Sequence, residues 1–172
     1  MHTEPHVGDH ELSNLEYAMI VSANGFFRWV VHCAEAAGAR GLSTLDVLVL
    51  HMVNHRARSK KLSDICLIMN VEDAHTVSYS LKKLEEQGYV SHKYNGRERV
   101  YLSSSDGDKL CEQYRSVRRD NLVRCLREDG VDIETITGVS TMLNRIARYY
   151  AHASRIALVG QESDSSTKQE AE

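Results

Sequence analysis

The segment from Leu62 to Ser103 constrains the fold more than any other part of this 172-residue chain. Apolar residues at helical spacing predict two short helices, separated by a turn at Asn70, a residue that tolerates turn geometry. Two β-rich runs then flank the dipeptide Asn95-Gly96, which is a strong signal for a β-hairpin. Helix, turn, helix and hairpin in this order predict a helix-turn-helix followed by a β-wing.

The second of these helices, expected from Asp73 to Gly88, divides its residues between two faces. We expect the apolar face, which carries Val77, Leu81 and Leu84, to be buried. The other positions carry hydrogen-bond donors and cations, namely His75, Thr76, Ser78, Tyr79, Lys82 and Lys83. Short polar side chains on a helix that fits the major groove are what base readout requires. We therefore predict DNA contacts from His75, Thr76, Ser78, Tyr79 and Lys82.

Cations flank this helix along the chain. Between positions 51 and 101 nine Lys and Arg oppose six Asp and Glu, although the whole chain has a net charge of −3. We predict that Lys60 and Lys61 contact phosphates, and that Arg97 and Arg99 of the hairpin reach a minor groove or phosphates. This small excess of positive charge is also typical of an ordinary solvated surface. The alternative function is therefore a winged helix that binds another protein instead of DNA.

Residues 62 to 103, with long helices predicted on either side, resemble the MarR family of bacterial transcription regulators. The resemblance rests on Thr76-Val77-Ser78, Leu81, Leu84-Glu85 and Gly88-Tyr89-Val90, and the general arrangement extends from Glu11 to Val159. Three features depart from the family pattern: Tyr79 follows the Thr-x-Ser stretch, His92 or Lys93 replaces an arginine, and Asn95-Gly96-Arg97 replaces Asp-x-Arg. The run from 62 to 90 is also similar to an alphaproteobacterial LdtR-like subgroup, linked to L,D-transpeptidase expression.

The resemblance implies a mainly α fold with a small β-wing, in which a winged helix-turn-helix at about 43–103 is flanked by long dimerisation helices at about 11–37 and 106–158. We expect a disordered leader at 1–10, one domain at 11–159 and a disordered acidic tail at 160–172. The implied function is ligand-responsive transcription regulation by a homodimer on a pseudo-palindromic operator, with cell-wall or stress genes as candidate targets.

After the hairpin the sequence predicts a helix from about Asp106 to Glu128 and a final helix after Gly130. The final helix carries two sets of residues at seven-residue spacing: Ile136, Leu143, Tyr150 and Ala157, and between them Val139, Ile146 and Ala153. Such a seam is typical of helix pairing between two chains, although a helix that packs on its own core is the alternative. A two-fold dimer would place two recognition helices about 34 Å apart, one turn of DNA.

MarR-like dimers commonly bind small, often aromatic molecules where the dimerisation helices meet the winged domain. The positions that the resemblance assigns to such an effector site are Trp29, His32, Cys33, Thr44 and Val47. Each has a simpler interpretation, because Trp29, Cys33 and Val47 are residue types common in cores. The residues themselves therefore leave both interpretations open.

Several other functions find little support. No apolar stretch is long enough to span a membrane and the start of the chain does not resemble a secretion signal, so we expect a cytoplasmic protein. We expect no enzyme and no cofactor, because no phosphate loop, zinc-protease or serine-hydrolase motif occurs. A metal site at His51 and His55 and redox sensing by Cys111 and Cys125 are the weaker alternatives.

Overall fold

The computed structural model describes residues 8–169 of the protein, with side chains as far as residue 158. The described residues form two compact units, at 8–121 and 122–169. The helices of the first unit are α1 (Asp9–Ala36), α2 (Thr44–Asn54), α3 (Leu62–Met69), α4 (Ala74–Glu86) and α5 (Ser105–Arg118). Its strands are β1 (Lys60–Lys61), β2 (Val90–Asn95) and β3 (Glu98–Ser103). The predicted fold class, mainly α with a small β-wing, is confirmed.

The helix-turn-helix forms through local capping. Asn70 ends α3 in the left-handed conformation, with φ of +53°, and the Val71 amide donates to the Cys66 carbonyl at 2.9 Å. Asp73 then caps α4, because its Oδ1 accepts from the His75 amide at 2.9 Å. The turn at Asn70 and the start of the next helix at Asp73 are therefore confirmed.

The wing is a three-stranded antiparallel sheet in the order β1-β3-β2. Asn95 pairs with Glu98 across the hairpin turn, where Gly96 has φ of +64°, so the predicted Asn-Gly hairpin is confirmed. The sequence analysis did not predict β1, which pairs Lys60 with Tyr101. A strand of two residues is too short to show the period-two alternation that marks a strand.

The core of the first unit lies between the helices and the sheet. Its largest fully buried side chains include Leu50, Ile65, Leu81 and Leu84, each at most 1% exposed. The first turn of α5 packs closely on the connection between α4 and β2, because a Cβ on Gly107 would lie 2.1 Å from the Tyr89 carbonyl oxygen. Only glycine permits that approach without a shift of the backbone.

Two predictions about the C-terminal helices differ from the structure. The helix expected from Asp106 to Glu128 is instead α5, a π-helical turn at Arg119–Val123, and α6 (Arg124–Glu128). Asp120 and Asn121 in that turn have low helix propensity, and the Asn121 side chain donates to the Val117 carbonyl at 2.8 Å. The last helix, α7 (Ile133–Gln169), continues into residues 160–169, which we expected to be disordered, and residues 170–172 lie outside the described part.

Helix α7 belongs to the second unit and exposes much of its apolar seam. Ile136, Val139 and Leu143 are 45%, 52% and 46% exposed, while Ile146 is buried. No helix among the described residues has the length and apolar character needed to cross a membrane.

Candidate DNA-binding interface and ligand cleft

The outer face of α4 presents the side chains that the sequence predicted for DNA. His75, Thr76, Ser78, Tyr79 and Lys82 are all exposed, and they lie opposite the buried residues Val77 and Leu81. A groove of about 320 Å³ lies between α4 and the wing, and it joins four of these residues to the hairpin: it is lined by His75, Ser78, Tyr79, Lys82, Glu85, Arg99 and Tyr101. The structure therefore brings the predicted helix contacts and Arg99 to one surface.

An ion pair between a buried carboxylate and a partly exposed lysine holds α4 against the start of α2. Lys83 Nζ donates to Asp46 Oδ2 at 2.7 Å, and the Asp46 side chain is only 3% exposed. Asp46 also accepts from the Ser43 amide at 2.8 Å. Burial by itself would raise the pKa of Asp46, but hydrogen bonds from Lys83, Ser43 and Ser80 outweigh burial and lower it. Lys83, which we expected on an outer face, thus positions α4 against α2.

The wing presents its predicted arginines differently. Arg97 is exposed at the hairpin turn, as minor-groove or phosphate contact requires. Arg99 instead donates to Glu85 Oε2 of α4 at 2.7 Å, and its guanidinium carbon lies 5.2 Å from the centre of the Tyr101 ring. Arg99 therefore borders the groove with part of its donor capacity already used.

The two adjacent lysines of β1 have opposite environments. Lys61 is 42% exposed and its Nζ lies 2.5 Å from Glu98 Oε2, whose hydrogen bond and charge raise the pKa of Lys61. Neighbouring residues of a strand point to opposite faces, and Lys60 is accordingly turned inward. Lys61 remains available to a phosphate, because an exposed ion pair is weak and exchanges partners readily.

The prediction that Lys60 contacts phosphate is wrong. Its ammonium donates to three backbone carbonyls, those of Val53 at 3.1 Å, His55 at 2.6 Å and Arg58 at 3.1 Å. An ammonium has three donors, so all of them are used, and burial lowers its pKa. Lys60 instead closes the turn at His55–Ala57, in which Arg56 has φ of +60°. The strand pairing that turns it inward could not be predicted from the sequence, because β1 has only two residues.

Two of the five residues assigned to an effector site are buried in the core. Cys33 and Val47 are 1% and 2% exposed and belong to the hydrophobic core, on which Trp29 also packs. Thr44 donates to the Phe27 carbonyl at 3.4 Å, and His32 is exposed on α1. The assignment is therefore corrected for Cys33 and Val47, because the helical period of α1 and α2 turns both side chains inward, and it stays a prediction for Trp29, His32 and Thr44.

A different cleft, of about 760 Å³, lies between α1, α2 and α5. Its lining is Phe26, Leu48, His51, Met52, Asn54, His55, Arg56, Ala57, Asp108, Tyr114, Arg115 and Arg118. The His51 ring meets the Tyr114 ring edge-on, at 4.3 Å between centroids. Burial, and then the charges of Arg118 and Arg115, lower the pKa of His51 to about 4. His51 is therefore neutral at pH 7, and the arginines supply the positive charge of the cleft.

Hydrogen bonds connect one wall of this cleft to the end of the wing. Arg115 Nη1 donates to Asn54 Oδ1 at 3.3 Å, and Asn54 Nδ2 donates to Asp108 Oδ1 at 2.7 Å. The same carboxylate oxygen accepts from the hydroxyl of Ser103, the last residue of β3, at 2.5 Å. A molecule that drew Arg115 away from Asn54 would act on groups bonded to the wing. The spacing of Tyr114, Arg115 and Arg118 along α5 was the signal for this cleft in the sequence.

The structure also describes the residues of the metal and redox alternatives. Within the described part of the chain no three His, Cys, Asp or Glu side chains could hold a metal ion together. Burial raises the pKa of Cys111 to about 11, so this thiol stays protonated, and Cys125 is exposed.

Comparisons with known proteins agree with this architecture. Residues 42–107 match the family model of a winged helix DNA-binding domain. A search of curated proteins found no match to the chain. Many solved structures share the fold. A MarR family regulator from Neisseria meningitidis is similar, with 16% identity, a TM-score of 0.66, and coverage of 83% of this chain and 95% of that one.

Two further structures carry ligands of different kinds. A MarR mutant from E. coli complexed with operator DNA has 15% identity and a TM-score of 0.63, over 82% of this chain and 99% of that one. CouR from Rhodococcus jostii, bound to p-coumaroyl-CoA, has 16% identity and a TM-score of 0.65, over 77% of this chain and 91% of that one. At these identities the likeness establishes the winged helix fold of MarR structures.

Proposed function

We propose that this chain is a sequence-specific, ligand-responsive DNA-binding transcription regulator that acts as a homodimer. The observation that carries the proposal is the outer face of α4, where five hydrogen-bonding or charged side chains lie exposed beside the wing. These side chains suit base edges and phosphates, while the opposite face of α4 is closed by the core. The similar fold of a MarR mutant complexed with operator DNA supports this use of the helix.

Each part of the interface has a separate role in the proposal. The major groove would be read by Thr76, Ser78, Tyr79 and Lys82, with His75 at the N-terminal end of α4. Arg97 would enter the minor groove from the hairpin turn, and Lys61 would neutralise a phosphate. Such a regulator works in the cytoplasm, and the resemblance of residues 62–90 to the LdtR-like subgroup suggests cell-wall or stress genes as targets.

The homodimer is proposed because both units of the chain have helices with exposed apolar faces. On α1, Tyr17, Ile20 and Val21 are 70%, 60% and 54% exposed, and the seam of α7 is exposed as well. Apolar faces of this extent are typical of surfaces that a second chain covers. A two-fold dimer would bind a pseudo-palindromic operator, because each half-site then meets an identical recognition helix.

The binding test compares two DNA duplexes. Fluorescence anisotropy of the purified protein with its own upstream DNA and with a scrambled duplex should give selective binding and a steep dependence on salt. Lys61→Met should reduce the slope of log K against log salt by about 0.9, because one phosphate contact is lost. Lys109→Met removes the same charge from the exposed surface of α5 and should leave the slope unchanged. Equal, weak binding to both duplexes would favour the protein-binding alternative.

The ligand proposed for the 760 Å³ cleft is a small anion with an apolar body. Phe26, Leu48 and Met52 provide apolar contact, and Arg115 and Arg118 provide charge for a carboxylate. CouR, a protein of similar fold, binds p-coumaroyl-CoA, which also joins an aromatic group to anionic groups. The bonds from Arg115 through Asn54 to Asp108 and Ser103 would transmit occupancy of the cleft to the wing.

Benzoate and its uncharged analogue benzamide test this ligand class. We expect benzoate to change operator affinity by at least about threefold and benzamide to have less effect, because only the carboxylate pairs with the arginines. Arg118→Gln should abolish the difference, whereas Arg119→Gln, a change at the adjacent exposed position outside the cleft, should preserve it. Identical responses in wild type and Arg118→Gln would contradict the site.

A further inference from the structure

One carboxylate at the edge of the recognition helix connects three elements. Glu85 of α4 accepts from Arg99 of β3 through Oε2 at 2.7 Å. Its Oε1 lies 2.6 Å from Nδ1 of His92 on β2. Nδ1 of His92 also lies 2.9 Å from Nη2 of Arg99, so Glu85, Arg99 and His92 form one polar cluster that joins both strands of the hairpin to α4. The Glu85 side chain is 17% exposed, which is less than the side chain of either His92 or Arg99.

Arg99 is held from a second side as well. Its guanidinium carbon lies 5.2 Å from the centre of the Tyr101 ring, and Tyr101 is 5% exposed in the core. A guanidinium between a carboxylate and an aromatic ring has a fixed direction. The angle between the hairpin and α4 is therefore set by side chains as well as by the chain connection at 87–89.

The sign of the charge at this position is informative. A carboxylate in a groove that faces DNA repels phosphates, so Glu85 opposes affinity that comes from charge alone. Selective binding has a stricter requirement, because the helix and the wing must meet their two grooves at the same time. A side chain that weakens the charge attraction to DNA but aligns α4 with the wing acts on the specificity of binding.

From these contacts we propose that Glu85 is a positioning residue that determines DNA specificity by holding the wing, through Arg99 and His92, at a fixed angle to the recognition helix. The proposal rests on the proposed function of DNA binding. It predicts that loss of the carboxylate lowers affinity for the operator while affinity for unrelated DNA stays equal or rises.

The test compares Glu85→Gln with a neighbour that carries the same charge. Glu86 lies on the same helix, has a side chain that is 65% exposed, and forms an ion pair of 3.8 Å with Lys82. Affinities for the protein's own upstream DNA and for a scrambled duplex are measured by anisotropy at one salt concentration. Glu85→Gln should lower the ratio of the two affinities at least tenfold, and Glu86→Gln should leave the ratio unchanged.

A second variant separates position from charge. Glu85→Asp keeps the charge but shortens the side chain by one methylene, so it should also lower the ratio, and a thermal melt of each variant establishes that it is folded. An unchanged ratio in folded Glu85→Gln, or the same change in Glu86→Gln, overturns the inference and leaves DNA binding intact. A wild-type protein that does not prefer its upstream DNA overturns the proposed function itself, and this inference with it.

Discussion

The winged part of the first unit and helix α7 use apolar residues at the same helical spacing and differ in what covers them. In the winged part Ile65 and Leu81 are fully buried, whereas Val139 and Met142 of α7 are 52% and 53% exposed. Three helices and a sheet within 42–107, together with α1 and α5, bury these apolar side chains. The difference shows that periodicity reveals an apolar face but does not reveal which surface it contacts.

This contrast has an energetic consequence. Burying apolar surface is worth about 25 cal/mol per Å², so the winged part gains its stability from contacts inside one chain. The exposed seam of α7 gains nothing until another surface covers it. Substitutions in the two regions should therefore change different quantities, unfolding free energy in the first and association in the second.

The largest effect is expected in the winged core. Leu81→Ala removes a side chain that is 0% exposed, and should lower the free energy of unfolding by about 2–5 kcal/mol through lost burial and a residual cavity. Urea unfolding followed by circular dichroism measures the change. A loss below about 1 kcal/mol would mean that neighbouring side chains can fill the cavity left by Leu81. The difference in packing between the winged part and α7 would then be smaller than we infer.

A charge in the seam of α7 should act on association instead. Leu143→Glu should weaken homodimerisation at least about 100-fold, equivalent to about 2.7 kcal/mol, because pairing would bury a carboxylate without a partner. Analytical ultracentrifugation across protein concentrations measures it, with Thr141→Glu as the control outside the seam. A monomeric wild type that binds its operator tightly would contradict the dimer proposal.

A smaller effect is expected at the ion pair beneath α4. Asp46→Asn keeps the contact with the Ser43 amide but loses the charge pair with Lys83, and should cost about 1–3 kcal/mol at pH 7 because Lys83 is partly exposed. Since the folded pKa of Asp46 lies below its unfolded value, its contribution exists above about pH 4 and disappears as pH falls through the folded pKa. The free energies of unfolding of wild type and Asp46→Asn should therefore converge as the pH is lowered. The control Asp106→Asn, on the surface, should have the wild-type free energy of unfolding at every pH.

The smallest effect on stability is expected at Tyr79. This side chain is 72% exposed, so Tyr79→Ala should change the unfolding free energy by less than about 0.5 kcal/mol. Operator affinity should nevertheless fall, because we place Tyr79 in the major groove. Parallel thermal melts and anisotropy titrations separate the two quantities, and a large loss of stability would show that Tyr79 is structural.

The winged helix and the outer face of α4 were predictable because both depend on local patterns. Asn70, Asp73 and the Asn95-Gly96 turn act within a few residues, and the period of α4 separates Val77 from Ser78 without further information. The effector residues and Lys60 were not predictable in this way. Their environments depend on residues distant along the chain, such as Tyr101, which pairs with Lys60.

Local propensity, capping and periodicity in the sequence are sufficient for the order of the elements, the hairpin and the polar face of α4. Packing across the chain was needed to turn Lys60 inward, to join Glu85 to Arg99 and His92, and to place Arg115 and Arg118 beside Phe26 in a cleft. The physical reason is range: capping and periodicity act within a few residues, whereas burial and charge pairing depend on which distant side chains meet in the folded protein.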